Sequence, residues 1–205
     1  MSTESGRAEK LGFEECAVPD THVSVYEALY RRRMVWNFKD EPVPRDALAR
    51  MLDTAVWAPN HRLTEPWRFF ILEKGSNAAE KVSGLAHDFA LQRSGNAQRA
   101  EATRQSLLNT PVIMYMYSTP GRDEEGTQEN YAAVCCAAHN IALAGVAEGL
   151  AVTWETGGPT RHPDLGKTLG AEEDWTLATM LSIGYPDEAP SSQRTPVGSF
   201  VRWLD

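Results

Sequence analysis

The stretch QENYAAVCCAAHNIALAGVAE, residues 128–148, decides the fold of this chain. It is rich in alanine and apolar on nearly every face of a helix, and a surface helix of a small monomer could not hide so much apolar area. We therefore expect a central or interfacial helix that ends at Gly149. The most apolar part of it, residues 131–147, is interrupted by the polar pair His139-Asn140 and falls short of a membrane span.

Four apolar runs on either side of this helix predict strands. Each is short, apolar and bounded by proline, glycine or acidic turns. The predicted strands cover residues 67–72, 111–117, 150–156 and 176–183. The second of them is apolar at nearly every position, which is typical of a buried strand.

Helix signals fill the segments between the strands. Ser24, with a glutamate three residues later, forms a capping box that opens a helix ending near Arg33. Pro44 begins an amphipathic helix that must stop near residues 57–59. The remaining segments predict two helices or one broken helix over residues 77–108, an acidic loop over 121–126 and a short helix over 164–169.

Length and charge limit the class of protein. The chain has 205 residues, which fits one α/β or α+β domain over residues 23–205, after a polar tail at residues 1–22. The net charge of −8 disfavours nucleic acid as a partner. A few arginines can nevertheless hold a phosphate, because guanidinium groups act at short range. The arm at residues 186–205 is rich in proline and ends in apolar residues, which indicates docking on a second subunit.

Cysteine usage and the N-terminal composition indicate a compartment. The three cysteines, at positions 16, 135 and 136, form no disulfide framework, and the N-terminal residues lack the apolar core of a signal peptide. We expect a soluble, cytoplasmic protein with no membrane contact. The histidines and cysteines show no metal-ligand spacing, so no metal site is predicted. A thiol on a buried, alanine-rich helix should be unreactive.

Three arginines in a row, Arg31-Arg32-Arg33, stand where the first predicted helix ends. They could be a solvated basic end that complements the helix dipole. They could instead bind an anion, because three neighbouring guanidinium groups repel one another until an anion neutralises them. The residues alone leave both interpretations open.

The sequence around these arginines resembles a known family. RRMVWNF at residues 32–38 is followed by an amphipathic helix, by APNH at 58–61 and by EPWRF at 65–69. In this order the segments resemble the nitroreductase family of FMN-dependent oxidoreductases, and the stretch APNHRLTEPWRF at 58–69 resembles one small subgroup of it. The resemblance covers roughly residues 24–203 and includes the alanine-rich helix.

The resemblance implies a fold and an assembly. The fold is expected to be α+β, with a mixed central sheet flanked by helices. The chain is expected to form an intertwined homodimer through the helix at residues 128–148, with FMN bound between the subunits and NADH or NADPH as electron donor. The C-terminal arm would dock on the partner subunit.

The resemblance also implies which residues hold the cofactor. Arg32, Arg33 and the backbone of Met34 would contact the FMN phosphate, together with Arg194 from the C-terminal arm, for which Arg202 is the alternative. His61 would approach the flavin. The end of the third strand, namely Trp154, Glu155 and Thr156, would lie beside the flavin ring.

Other residues near these motifs have ordinary interpretations. Glu65 is expected to make a structural hydrogen bond that pins its loop rather than to act as an acid, and Trp57 and Trp67 are expected to be packing residues. The family signature has a serine where this chain has Met34 and often a basic residue where it has Trp36. Both differences remove polar contacts to phosphate.

The implied function follows from the cofactor. An FMN-dependent enzyme of this kind would use NAD(P)H to reduce nitroaromatic, quinone or related small organic acceptors by a ping-pong mechanism. No side chain is assigned as an acid or base, because flavin N5 carries the chemistry. Two alternatives stay open: another flavin enzyme on the same scaffold, such as a dehalogenase, a dehydrogenase or a flavin-fragmenting enzyme, and a non-catalytic flavin-binding or regulatory dimer.

Overall fold

The computed structural model describes residues 21–204, so the predicted tail at residues 1–22 lies almost wholly outside the described part. Helices and strands follow the predicted order along the chain. The helices are α1 (Val25–Arg31), α2 (Arg45–Ala55), α3 (Asn77–Ser94), α4 (Ala97–Asn109), α5 (Glu124–Ala147) and α6 (Leu165–Leu169). The strands are β1 (Trp67–Glu73), β2 (Val112–Ser118), β3 (Ala151–Glu155) and β4 (Thr176–Gly184).

The four strands form one sheet in the order β1-β2-β4-β3, and every neighbouring pair is antiparallel. The α+β class is confirmed, but the expectation of a mixed sheet is wrong for the described residues. The reason lies in where β4 inserts. Strands β2 and β3 run in the same direction, yet β4 lies between them and runs against both, so the parallel strands never become neighbours.

Strand β2 is buried along its whole length, as its sequence predicts. Alternate side chains point to opposite faces of a strand, and here each face has its own core. Met114 and Met116 pack with residues of α2 and α5 on one face. Ile113 and Tyr115 pack with residues of α3, α4 and α6 on the other face. The sheet is therefore the middle layer of three.

Helix α5 starts four residues before the predicted position. The Asp123 carboxylate accepts the Gly126 N–H at 2.7 Å and caps the helix, so half of the expected acidic loop is helical. Its composition and length would suffice for a membrane span. In this structure, however, one face of the helix is buried against the sheet, as in a core helix, while the opposite face, with Ala132, Cys136 and His139, is exposed.

The segment at 77–108 forms two helices, which settles the alternative that the sequence left open. Gly95 ends α3 in the left-handed conformation at φ 64°, which glycine adopts without a Cβ clash. Asn96 then caps α4, because its side chain accepts the Arg99 N–H at 2.9 Å. The break is therefore a stop signal followed at once by a start signal.

The contact between α5 and β3 is close because residue 145 is a glycine. A Cβ built at Gly145 would lie 2.8 Å from Val152 Cγ2 and 3.3 Å from Met51 Cε. Val152 is buried in β3, and a β-branched side chain has little rotameric freedom with which to move aside. Gly145 thus sets the distance between the helix and the sheet.

We expect Gly145→Ala to lower the free energy of unfolding, because overpacking a buried contact costs about 1–3 kcal/mol. Gly84→Ala in α3 is the matched control. A Cβ at Gly84 meets no atom within 4 Å, so this variant should instead be stabilised by about 0.5–1 kcal/mol through helix propensity. Urea denaturation of both variants measures the difference. Equal effects of the two substitutions would contradict the close approach.

Candidate functional site

The arginine segment follows directly on α1. Ser24 caps the start of this helix, and the Arg32 N–H bonds to Ala28 O at its end. Arg31 forms an ion pair with Glu27 at 2.8 Å, one turn back. Arg33 Nη1 donates to two main-chain carbonyl oxygens. Within residues 21–204, neither Arg32 nor Arg33 forms an ion pair with a carboxylate, so two positive charges remain uncompensated there.

The C-terminal arm brings a third positive charge to this place. The pKa of Arg32 is lowered from its ordinary value, first by burial and then by repulsion from Arg194 and Arg33. Of the two C-terminal arginines that the sequence left open, Arg194 is therefore the one near Arg32. An anion bound among these three guanidinium groups would relieve the repulsion between them.

The chain beyond the arginines is anchored to the sheet. The Val35 N–H donates to Thr153 Oγ1 at 2.9 Å, and this hydroxyl donates in turn to Val35 O at 2.5 Å. Thr153 is fully buried in β3. The bonds fix the arginine segment against the third strand, as a rigid binding site requires.

A cavity of about 220 Å³ opens between the arginine segment, α5 and β3. Its wall combines one guanidinium group with apolar and aromatic side chains, and it contains Arg32, Met34, His139, Ala142, Val152, Trp154 and Leu181. A second cavity, of about 300 Å³, shares Arg32 and Val152 with the first and extends to the C-terminal arm. Together the two cavities are lined by the three arginines 31–33 and by apolar side chains such as Met34, Val152 and Trp154.

The predicted strand-end residues separate between the two faces of the sheet. Because side chains alternate along a strand, Trp154 lines the cavity beside Arg32 while Glu155 points to the opposite face. There Ser182 Oγ donates to Glu155 Oε1 at 2.6 Å, and burial raises the pKa of the Glu155 carboxyl. Thr156 follows the strand and is exposed. Of these three side chains, only Trp154 lines the arginine cavity.

His61 lies away from the cavity that contains Arg32, on the loop at residues 60–65. Its Nδ1 is 2.8 Å from Glu129 Oε2, near the start of α5. The cavity with Arg32 instead reaches α5 at His139. Ten residues of helix span about 15 Å. The structure therefore does not bring His61 and the arginines together within one chain.

The loop that carries His61 has an unusual backbone. Arg62, Leu63 and Glu65 have φ values of 63°, 50° and 48°, which L residues rarely adopt. Such strain costs free energy and persists only where the surroundings impose it. The loop thus has a fixed shape that local sequence preference alone would not produce.

Side chains to which the sequence assigned no role hold this loop. Asn60 Oδ1 accepts the Glu65 N–H at 2.8 Å, and Thr64 Oγ1 donates to the buried Asn130 at 2.7 Å. Arg68 donates to Glu65 O at 3.0 Å. The main chain of Glu65 takes part in holding the loop, but the expectation that its carboxylate pins the loop is wrong, because this side chain is exposed and makes no hydrogen bond within residues 21–204. Polar residues at both ends of the loop were the available signal.

Several large apolar side chains are exposed on this chain. Trp67 is buried, as expected of a packing residue, whereas Trp57 is 79% exposed and packs against nothing that covers it within residues 21–204. Other exposed aromatic residues lie on α1 and on the C-terminal arm: Tyr26, Tyr30, Phe200 and Trp203. Exposed apolar surface of this extent is typical of a protein–protein interface.

The chain is similar to several known proteins. YfhC of Bacillus subtilis (strain 168), provisionally named an NAD(P)H nitroreductase, is 29% identical over 181 residues, which are 86% of this chain and 92% of YfhC. A nitroreductase-like family protein from Bacillus cereus has a crystal structure that matches with a TM-score of 0.81 and 27% identity, covering 92% of this chain and all of that one.

A more distant structure agrees in fold. NfnB from Sphigopyxis sp. strain HMH, described as an FMN- and NADPH-dependent nitroreductase, matches with a TM-score of 0.69 and 20% identity, over 89% of this chain and 99% of that one. The model of the nitroreductase family matches residues 29–185 of this sequence, a stretch that holds Arg32, Arg33, the His61 loop, α5 and all four strands. The chain therefore belongs to the nitroreductase family.

Proposed function

We propose that this chain is an FMN-dependent oxidoreductase that uses NADH or NADPH to reduce nitroaromatic, quinone or related small organic acceptors by a ping-pong mechanism. The observation that carries the proposal is the cluster of Arg32, Arg33 and Arg194 beside an apolar cavity, in a chain of this family. We place the enzyme in the cytoplasm, in keeping with three cysteines that form no even disulfide framework.

The chemistry of the cavity fits FMN. The ribityl phosphate needs fixed cations, which Arg32, Arg33 and Arg194 offer, and guanidinium groups bind phosphate through charge-assisted hydrogen bonds. The flat ring needs an apolar wall, which Met34 and Trp154 offer. When bound, FMN supplies the electron-transfer chemistry. The protein's own task is to bind it, orient it and exclude water.

The proposed enzyme is a homodimer in which each site takes residues from two chains. The arginines lie beside the second half of α5 and His61 lies beside its first half. A second copy that packs antiparallel along the exposed face of α5 would bring its own His61 loop toward the arginines. The exposed Trp57 and the apolar end of the arm supply further surface for such an interface.

The function is tested with the flavin itself. We expect purified protein to bind FMN with micromolar or tighter affinity, and NADH or NADPH to bleach the flavin absorbance under anaerobic conditions. A nitroaromatic compound or a quinone should then restore the absorbance. If the purified protein binds no FMN, the proposal that it is an FMN-dependent enzyme is wrong. Bound FMN that neither nucleotide reduces would favour the non-catalytic dimer, and reduced FMN that neither acceptor oxidises would favour another reaction on this scaffold.

Replacing the arginines should remove the cofactor. In the double variant Arg32→Ala/Arg33→Ala we expect the Kd for FMN to rise by about 100-fold or more, because each hydrogen bond to a charged group contributes about 1.5–3 kcal/mol. Arg93→Ala, on the exposed end of α3, removes a similar charge away from the site and should leave the Kd unchanged. Titration followed by flavin fluorescence measures both. Unaltered affinity in the double variant would refute the phosphate site.

The shared site predicts complementation between two defective chains. One carries Arg32→Ala/Arg33→Ala, and the other carries His61→Trp, whose bulk should obstruct the ring position. Each homodimer should retain little FMN. Mixed dimers, isolated through two different affinity tags, should recover about half of the wild-type flavin content, because one of their two sites is intact. If the arginines and His61 of one site came from the same chain, both sites of a mixed dimer would be defective and no flavin content would be recovered.

A further inference from the structure

The arm that carries Arg194 leaves the sheet along a defined path. Residues 185–187 run antiparallel to residues 37–39: the Lys39 N–H bonds to Tyr185 O and the Asp187 N–H bonds to Asn37 O, both at 2.9 Å. Gly184 allows this path, because a Cβ there would lie 2.8 Å from Pro111 Cγ. The beginning of the arm is therefore held beside the segment that follows the arginines.

The Glu188 carboxylate adds three hydrogen bonds between the arm and this segment. Glu188 Oε1 accepts the main-chain N–H groups of Trp36 at 2.5 Å and Asn37 at 3.0 Å, and Oε2 accepts from Asn37 Nδ2 at 3.2 Å. These bonds, from Trp36 first and then Asn37, lower the pKa of Glu188 below its ordinary value. The side chain is therefore ionised at neutral pH and is bonded at both oxygens.

The same carboxylate lies beside the arginine cluster without neutralising it. Glu188 lines the cavity of about 300 Å³ together with Arg32 and Arg33. In the described part of the chain, 21–204, it forms no ion pair with either of them. Its oxygens are taken up by N–H groups, which leaves the guanidinium groups available for an anion in the cavity.

The position of Arg194 depends on this anchor. Arg194 comes six residues after Glu188, and six residues reach at most about 20 Å. Arg194 itself is exposed, and its one side-chain hydrogen bond within residues 21–204 goes to the adjacent Gln193 O. Between the sheet and Arg194, the last residue that a hydrogen bond ties to another part of the described chain is Glu188.

We propose that Glu188 is a positioning residue that ties the C-terminal arm to the Trp36-Asn37 backbone, so that Arg194 joins Arg32 and Arg33 as the third cation around a phosphate. The inference rests on the proposed function, since that phosphate belongs to FMN.

The direction in which the Kd for FMN changes distinguishes a positioning role of Glu188 from a purely electrostatic one. Removing a negative charge beside an anion site should by itself strengthen anion binding. We expect the opposite: Glu188→Ala should raise the Kd for FMN about tenfold, since the charge of Arg194 would no longer be held at the site. The Kd for riboflavin, which lacks the phosphate, should stay unchanged. Glu188→Gln, which keeps one acceptor oxygen, should fall between Glu188→Ala and the wild type.

Two further variants complete the test. Asp187→Ala removes the neighbouring exposed charge and should leave FMN binding at the wild-type level or slightly tighter. Arg194→Ala should weaken FMN binding, and adding Glu188→Ala to it should cause no further weakening, as in a double-mutant cycle of coupled residues. Thermal unfolding of each variant checks that the fold is retained.

Tighter or unchanged FMN binding in Glu188→Ala, an equal loss for riboflavin, or additive effects of Glu188→Ala and Arg194→Ala would each overturn the role of Glu188. Wild-type protein that binds neither FMN nor riboflavin would contradict the proposed function itself. Wild-type protein that binds FMN, with an unaffected Glu188→Ala variant, would overturn the positioning role alone.

Discussion

The close packing of α5 on the sheet is the constraint on which the rest of the structure depends. Small residues on one face of the helix, ending with Gly145 against Val152, bring its backbone near β3. Interiors are packed like crystals, so this distance is nearly rigid. The 24-residue helix then fixes the distance between the His61 loop, which is bound near its start, and the arginine cavity, which lies near its second half.

Local charge, rather than net charge, determines what the cavity can bind. The chain carries a net charge of −8, yet Arg32 and Arg33 lie where no carboxylate of residues 21–204 pairs with them. Arg31, one residue earlier, is paired with Glu27. Screening in physiological salt confines such effects to within about 8 Å. An acidic protein can therefore present a cationic site without contradiction.

Much of the fold was predictable because its signals are local. The apolar run of β2, the caps at Ser24 and Asn96 and the stop at Gly95 act over a few residues, and the structure confirms the elements that they indicate. The strand order was not predictable in this way, since whether β4 lies between β2 and β3 depends on contacts between segments far apart in the chain. For the same reason, the exposure of Trp57 could not be inferred from its neighbours.

Short motifs such as residues 32–38 and 58–69 indicate the family, the order of the elements and the residue types that a phosphate and a flat ring require. Which of those residues meet depends on the tertiary structure. It brought Arg194 to Arg32, turned Glu155 away from Trp154, and held His61 beside Glu129 instead of the arginines. Side-chain direction in a strand follows from its pleat. The path of the C-terminal arm follows from hydrogen bonds between distant segments, such as those of Thr153 and Glu188. No local sequence pattern encodes these bonds.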